Sequence, residues 1–196
     1  MAYPNDYTPI YQYNHHVILP HDTYDEWRAA TLGYGFDVDG QFGNQCWDYI
    51  DNLYYQYDLT LVTRKGGGTA ADCWNISRNI NSQPPFEAVV GKENIKRGDV
   101  IVIGASALSS TGHICIADQD YEVTSDGKIW CLGQNQGHGS SAPVTRDRVS
   151  LTYFLGIFRN TNWQGTPPTP PTPTEDSKKK RKFPFIIAWK HWGYRH

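Results

Sequence analysis

The chain has 196 residues, with 18 Lys and Arg against 20 Asp and Glu, and 39% of its residues are hydrophobic. This length accommodates one domain of about 140 residues with appendages. No stretch approaches the roughly 18 apolar residues of a membrane span. The N-terminus lacks the basic region and apolar run of a secretory signal, so neither a transmembrane segment nor a signal peptide is predicted.

The first 22 residues are predicted to form an irregular N-terminal arm, because they are rich in Tyr, Pro and Asn. The folded domain is predicted to begin at Thr23. Thr23 and Glu26 have the spacing of a capping box, in which each side chain accepts a backbone N–H of the other residue. A short helix should therefore start there.

An acidic segment follows, with oxygen donors at the spacing of a calcium-binding loop. Donors occupy relative positions 1, 3, 5, 7 and 12: Asp37, Asp39, Gln41, Gly43 and Asp48. An EF-hand loop uses this spacing to surround a hard cation with six to eight oxygen ligands. The segment departs from an EF-hand in having Phe42 instead of Gly at position 6. The alternative interpretation is an acidic turn followed by a core cysteine.

Cys46 is the candidate nucleophile. A helix is predicted over 45–57, because Cys46, Ile50 and Leu53 share one face at helical spacing. A thiol at a helix N-terminus lies at the positive end of the dipole, which lowers its pKa and favours the thiolate.

The second half of the chain is predicted to form strands over 99–104, 112–118, 128–133 and 151–158. Helices followed by an antiparallel sheet make an α+β fold. His113 starts an apolar strand, where an imidazole suits a cleft better than a core. A cysteine and a histidine on separate elements form the pair required for nucleophilic acyl transfer. Asn135, at the end of a further strand, is the candidate group for orienting the imidazole.

The remaining three cysteines are predicted to be small buried apolar residues, because they lie among apolar neighbours: Cys73, Cys115 and Cys131. A disulfide between Cys115 and Cys131 across adjacent strands is the alternative. No Cys and His spacing in the chain is typical of a zinc site.

The order of these motifs (Gln-Cys-x-Asp, Gly-Asp-Val, Gly-His-Ile, Gln-Asn) resembles the CHAP domain, the cysteine- and histidine-dependent amidohydrolase/peptidase family. Within that family it is most similar to the calcium-loop type of bacteriophage endolysins and tail lysins, over residues 23–160. The resemblance implies a papain-like CHAP fold with Cys46 as nucleophile and His113 as general base. It further implies a structural Ca²⁺ held by the side chains of Asp37, Asp39 and Asp48 and by the backbone carbonyls of Gln41 and Gly43. Many relatives carry an acid where this chain has Gly133, which leaves Asn135 as the expected orienting group.

Beyond residue 160 the composition changes. A Pro/Thr-rich linker is predicted over 161–177 and a basic, aromatic tail over 178–196. The tail has seven Lys and Arg and no acid, a charge of +7. The rest of the chain has 11 basic and 20 acidic side chains, a charge of −9. An anionic wall polymer or a phage tail protein suits this tail, and a solvated tail is the alternative. The acidic main domain opposes nucleic acid as a partner.

The expected function is that of a peptidoglycan hydrolase, either an endopeptidase or an N-acetylmuramoyl-L-alanine amidase. The resemblance implies action on the bacterial wall, in the host cell at lysis or from a virion tail. The alternative is a weakly active or inactive CHAP-fold component of a phage tail, with a structural or wall-binding role. Gly133 and the C-terminal tail motivate that alternative.

Overall fold

A computed structural model of the protein describes residues 22–63, 68–106, 109–136 and 141–164. All but the last residue of the predicted N-terminal arm, most of the predicted linker and the basic tail lie outside these residues. Within the part described, no helix has the length and apolar character that a membrane span requires.

In the described part of the chain, four α-helices precede the first strand. They are α1 (Tyr24–Thr31), α2 (Cys46–Tyr55), α3 (Asp72–Asn75) and α4 (Arg78–Asn81). The capping box that the sequence predicts at the start of α1 is confirmed. Glu26 N–H donates to Thr23 Oγ1 at 3.2 Å, and Thr23 N–H donates to Glu26 Oε2 at 3.0 Å.

Six strands form one antiparallel sheet in the order β1-β6-β2-β3-β4-β5. They are β1 (Phe86–Val89), β2 (Val100–Ile103), β3 (His113–Ala117), β4 (Lys128–Gly133), β5 (Thr145–Ser150) and β6 (Phe154–Asn160). The α+β class and the strands predicted over 99–104, 112–118 and 128–133 are confirmed. The strand predicted over 151–158 starts three residues too early, since residues 151–153 connect β5 to β6.

The two strands that the sequence did not predict, β1 and β5, are the edges of the sheet. β1 has only four residues, and β5 carries Arg146, Asp147 and Arg148. Short length and charged side chains are typical of edge strands, because both discourage pairing with another chain. The same features remove the apolar pattern by which a strand is predicted from sequence.

Both faces of the central strands are buried. In β2, Val100 and Val102 pack into a large cluster with α2, whereas Ile101 and Ile103 belong to a second cluster on the other face. Successive side chains of a strand point to opposite faces, so two covered faces require an apolar run without alternation. β2 has that run, Val-Ile-Val-Ile, and all four residues are buried.

The larger cluster extends beyond residue 160, where the sequence placed the end of the domain. A 3₁₀ helix over Thr161–Gln164 carries Trp163, which is buried. Its ring lies 5.7 Å from that of Tyr24 and 6.2 Å from that of Trp27, between ring centroids. The last described residues therefore pack against α1 as part of the domain.

Candidate active site

Cys46 is the first residue of α2. Gln45 before it is extended, with φ −101° and ψ 159°, and its backbone N–H donates to the Asp48 carboxylate at 2.8 Å. The first N–H groups of a helix have no acceptor within the helix, and they form the positive end of its dipole. The thiol therefore lies where a helix favours a negative charge.

His113 is the first residue of β3, and its ring lies close enough to the Cys46 thiol to change the pKa of that thiol. Burial alone would raise the pKa of Cys46, but the hydrogen bond and the charge of His113 outweigh it and lower that pKa below its usual value. Burial alone would lower the pKa of His113, but hydrogen bonds with Cys115 and Cys46 raise it well above its usual value. A lowered thiol pKa beside a raised imidazole pKa favours a thiolate–imidazolium pair.

A second thiol, that of Cys115, also lies against His113. Its hydrogen bond with Cys131 and its burial raise the pKa of Cys115 well above the usual value. Cys115 is therefore a neutral thiol at neutral pH. Of the two thiols beside the ring, only Cys46 has a lowered pKa, so Cys46 is the one that pairs with the imidazolium as a thiolate.

The side chain that is hydrogen-bonded to the imidazole is Gln136, whereas the sequence predicted Asn135. His113 Nε2 lies 3.2 Å from Gln136 Oε1. Asn135 lines the same cavity as Cys46 and His113, but its Oδ1 accepts the backbone N–H of Ala142 at 3.2 Å. We expected Asn135 to orient the ring. In the structure the hydrogen bond to the ring is made by the next residue, Gln136, instead. Gln136 has no distinguishing sequence signal beyond its position beside Asn135.

A further buried amide, Gln134, joins the end of β4 to the start of α2. Its Nε2 donates to the carbonyls of Gln45 at 2.6 Å and Phe36 at 2.9 Å, and its Oε1 accepts the N–H of Phe36 at 2.6 Å. Residues on both sides of the acidic segment are thereby attached to the strand that follows His113. Gln134 is the Gln of the Gln-Asn motif, but the sequence assigned it no role, because a buried amide has no local pattern.

The Cys46 thiol and the His113 ring open onto one groove. A cavity lined by Gln45, Cys46 and His113 shares four residues with a larger cavity of about 700 Å³ that extends along β5. The shared residues are Ser109, Gly112, His113 and Asn135. A groove that passes over the cysteine and histidine can place an extended chain across them.

The acidic segment brings three carboxylates together. One oxygen from each of Asp37, Asp39 and Asp48 lies within 4.8 Å of the others. Asp37 Oδ1 is buried and has no hydrogen-bond partner among the described residues. Burial and the charges of Asp39 and Asp37 raise the pKa of Asp48 to about 7. Clustered carboxylates with an unpartnered buried oxygen fit a bound Ca²⁺, which requires several oxygen ligands.

The two expected carbonyl ligands lie in the same loop. The Gln41 carbonyl accepts the side-chain N–H of Gln45 at 3.0 Å, which leaves one lone pair for another partner. Gly43 has φ +71°, and a Cβ there would meet Ser141 Oγ, so a larger residue would disturb the loop. Phe42 takes a similar left-handed conformation, with φ +64°, and its side chain is exposed.

All four cysteines are free, and only Cys46 is not fully buried. Iodoacetamide is expected to alkylate Cys46 much faster than the other three, even at pH 6, where an ordinary thiol with a pKa of about 8.5 is protonated. The rate should fall as the pH drops through the lowered pKa of Cys46. Mass spectrometry of tryptic peptides measures each rate. Replacing His113 with alanine should slow the labelling at pH 6, and equally slow labelling of all four cysteines would contradict the pairing of Cys46 with His113.

Comparisons with known proteins agree on one family. The sequence model of the CHAP domain matches residues 33–135. A D-alanyl-L-alanine endopeptidase of Streptococcus phage B30 is 34% identical over 134 residues, which are 67% of this chain and 29% of that protein. The crystal structure of a wild-type endolysin, LysIME-EF1, has a TM-score of 0.53 at 23% identity, covering 74% of this chain and 65% of that one. The chain thus spans less than a third of the phage B30 enzyme.

Proposed function

The chain belongs to the CHAP family, and from this premise we propose that it is a peptidoglycan hydrolase that cleaves an amide bond of the bacterial cell wall. The observation that carries the proposal is the contact of Cys46 at the start of α2 with His113 at the start of β3, with both lining one groove. This pair supplies a nucleophile and a proton donor to a bound amide.

In the proposed acylation step, the Cys46 thiolate attacks the carbonyl carbon and forms a C–S bond. The oxygen becomes an oxyanion, which the backbone N–H of Cys46 helps to stabilise. The C–N bond then breaks, and the leaving nitrogen takes the proton of the His113 imidazolium. The amine product leaves, and the acyl group remains on sulfur as a thioester.

In the deacylation step, neutral His113 accepts a proton from water, which attacks the thioester carbonyl. The C–S bond breaks, and the acid product is released. The thiolate is regenerated beside the imidazolium, so no proton or electron is gained or lost over the cycle.

We propose that Ca²⁺ is held by the side chains of Asp37, Asp39 and Asp48 and by the carbonyls of Gln41 and Gly43. The ion would supply positive charge to the cluster and fix the loop, without contacting substrate. Asp48 supports this structural role, because its carboxylate accepts the N–H groups of Gln45 and Val38 at 2.8 and 3.1 Å. The same residue thus belongs to the cluster and to the start of the Cys46 helix.

The name of the phage B30 relative favours an endopeptidase over an amidase, with a bond between D-alanyl and L-alanyl residues as substrate. We propose that the protein acts on the wall at phage lysis. An anionic wall polymer as partner of residues 178–196 rests on their charge alone, because they lie outside the described residues.

The experiment that tests this function is digestion of purified Gram-positive peptidoglycan by the full chain in calcium. Mass spectrometry of the fragments and analysis of new amino termini identify the bond. We expect one new amino terminus, that of L-alanine, for each bond cut. Release of intact stem peptides from muramic acid would show that the protein is an amidase and not an endopeptidase. Walls that yield no fragments from any species would favour the inactive CHAP-fold component instead.

A further inference from the structure

Gln136 is a nearly buried amide whose side chain is hydrogen-bonded at both ends. Its Oε1 lies 3.2 Å from His113 Nε2. Its Nε2 donates to the backbone carbonyls of Cys131 at 3.3 Å and Thr145 at 3.1 Å. Only 6% of the residue is exposed.

These partners fix the direction of the amide. Carbonyl oxygens only accept hydrogen bonds, so the end of Gln136 that faces Cys131 and Thr145 must be the NH₂ group. The oxygen therefore faces His113, and Nε2 of the ring must carry the hydrogen. In the neutral imidazole only one nitrogen is protonated, so Nδ1 is left as the acceptor for a neighbouring thiol.

We propose that Gln136 is the positioning residue of the dyad, which holds the His113 ring in the Nε2–H tautomer and turns Nδ1 toward Cys46. The inference deepens the proposed hydrolase function and rests on it for its catalytic meaning. Gln136 acts through His113 and does not touch the reacting atoms.

Two backbone features near Gln136 allow its side chain to reach His113. Gly133 ends β4, and a Cβ there would lie 2.7 Å from Gln136 Oε1 and 3.1 Å from Cys115 Cβ. The absence of a side chain at Gly133 therefore makes the room that the carboxamide occupies. Asn135 has φ +55°, a left-handed conformation that asparagine tolerates better than most residues. The chain reverses there, which lets Gln136 fold back against the end of its own strand.

A matched pair of variants isolates the contact with the ring. Gln136→Met and Gln136→Glu have similar length, and both lose the NH₂ group that binds Cys131 and Thr145. Only the glutamate keeps an oxygen acceptor for His113 Nε2–H. The loss of the two donated hydrogen bonds is common to both. The glutamate also adds a negative charge beside the ring, which raises the pKa of His113, so each variant is compared at a pH where its ring is neutral.

The readout that does not depend on activity is the ¹⁵N spectrum of His113, recorded in a Cys46→Ala background so that the ring is neutral near pH 8. We expect the Nε2–H tautomer with Gln136 and with Gln136→Glu, and a mixture of tautomers with Gln136→Met. The same tautomer population in all three would overturn the proposal. Gly133→Ala should resemble Gln136→Met, because its Cβ would displace the carboxamide.

The second readout is wall digestion with Cys46 present. We expect Gln136→Met to lower kcat/KM about 10- to 100-fold, the range typical of lost groups that orient a functional ligand. Gln136→Glu should lower kcat/KM less than Gln136→Met does. Equal losses in the two variants would overturn the positioning role. A wild-type chain without hydrolytic activity would refute the proposed function, and the ¹⁵N spectrum would still decide the role of Gln136.

Discussion

Replacing Cys46 with alanine is expected to abolish wall hydrolysis, lowering the rate by at least about 10⁴-fold, the scale seen when a catalytic nucleophile is removed. No other thiol can substitute, because the remaining three are buried. The structural cost should be small. Cys46 is only partly buried, and alanine is a good helix former at the first position of α2.

The control is Cys73→Ala, which removes a fully buried thiol that packs between α3 and the sheet. That variant should lose some thermal stability and keep its activity at temperatures where it remains folded. Fragment release is measured by mass spectrometry, and the fold by circular dichroism. Hydrolysis by Cys46→Ala at a rate near that of wild type would show that Cys46 is not the nucleophile.

The second large effect concerns Asp37→Asn, which is expected to be more stable than wild type in EDTA and less stable than wild type in calcium. In EDTA the three clustered carboxylates repel one another, so Asp37→Asn should melt at a higher temperature than wild type. In calcium the wild type should be the more stable of the two, because the variant lacks one charged ligand. Calcium at about 100 times its Kd contributes about 2.7 kcal/mol, or about 5–10 °C in Tm for a domain of this size.

Thermal melts of both proteins in calcium and in EDTA measure this crossover. Glu87→Gln, which removes an exposed carboxylate from β1, is the matched control and should respond to calcium as wild type does. Hydrolysis by the wild type should fall in EDTA, because the loop that leads into the Cys46 helix loses its ion. Parallel shifts of wild type and Asp37→Asn would argue against a cation at this cluster.

Local patterns carried most of what the sequence could predict. The capping box at Thr23, the helix that starts at Cys46 and the apolar run of β2 each depend on neighbours within a few residues. The edge strands β1 and β5 could not be predicted in this way. β1 pairs with β6, which is far away in the chain. β5 pairs with β4, but its charged side chains give it no apolar pattern that would identify it as a strand.

The hydrogen-bond partner of the His113 imidazole could not be predicted from spacing in the sequence. Asn135 and Gln136 have the same amide chemistry and adjacent positions, so the sequence offers no ground for choosing Gln136. The choice is made by the left-handed backbone at Asn135 and the missing Cβ at Gly133. Both are properties of the folded chain.

The attachment made by Gln134 has a consequence for how activity arises during folding. This one side chain binds the backbone on both sides of the acidic segment, at Phe36 and Gln45, from the far end of β4. The start of the helix that carries the nucleophile therefore gains this attachment only once the end of the fourth strand is in place. A chain that ends before Gln134 lacks this attachment and also lacks the Gln136 contact with His113. We therefore expect full hydrolytic activity to depend on completion of the sheet.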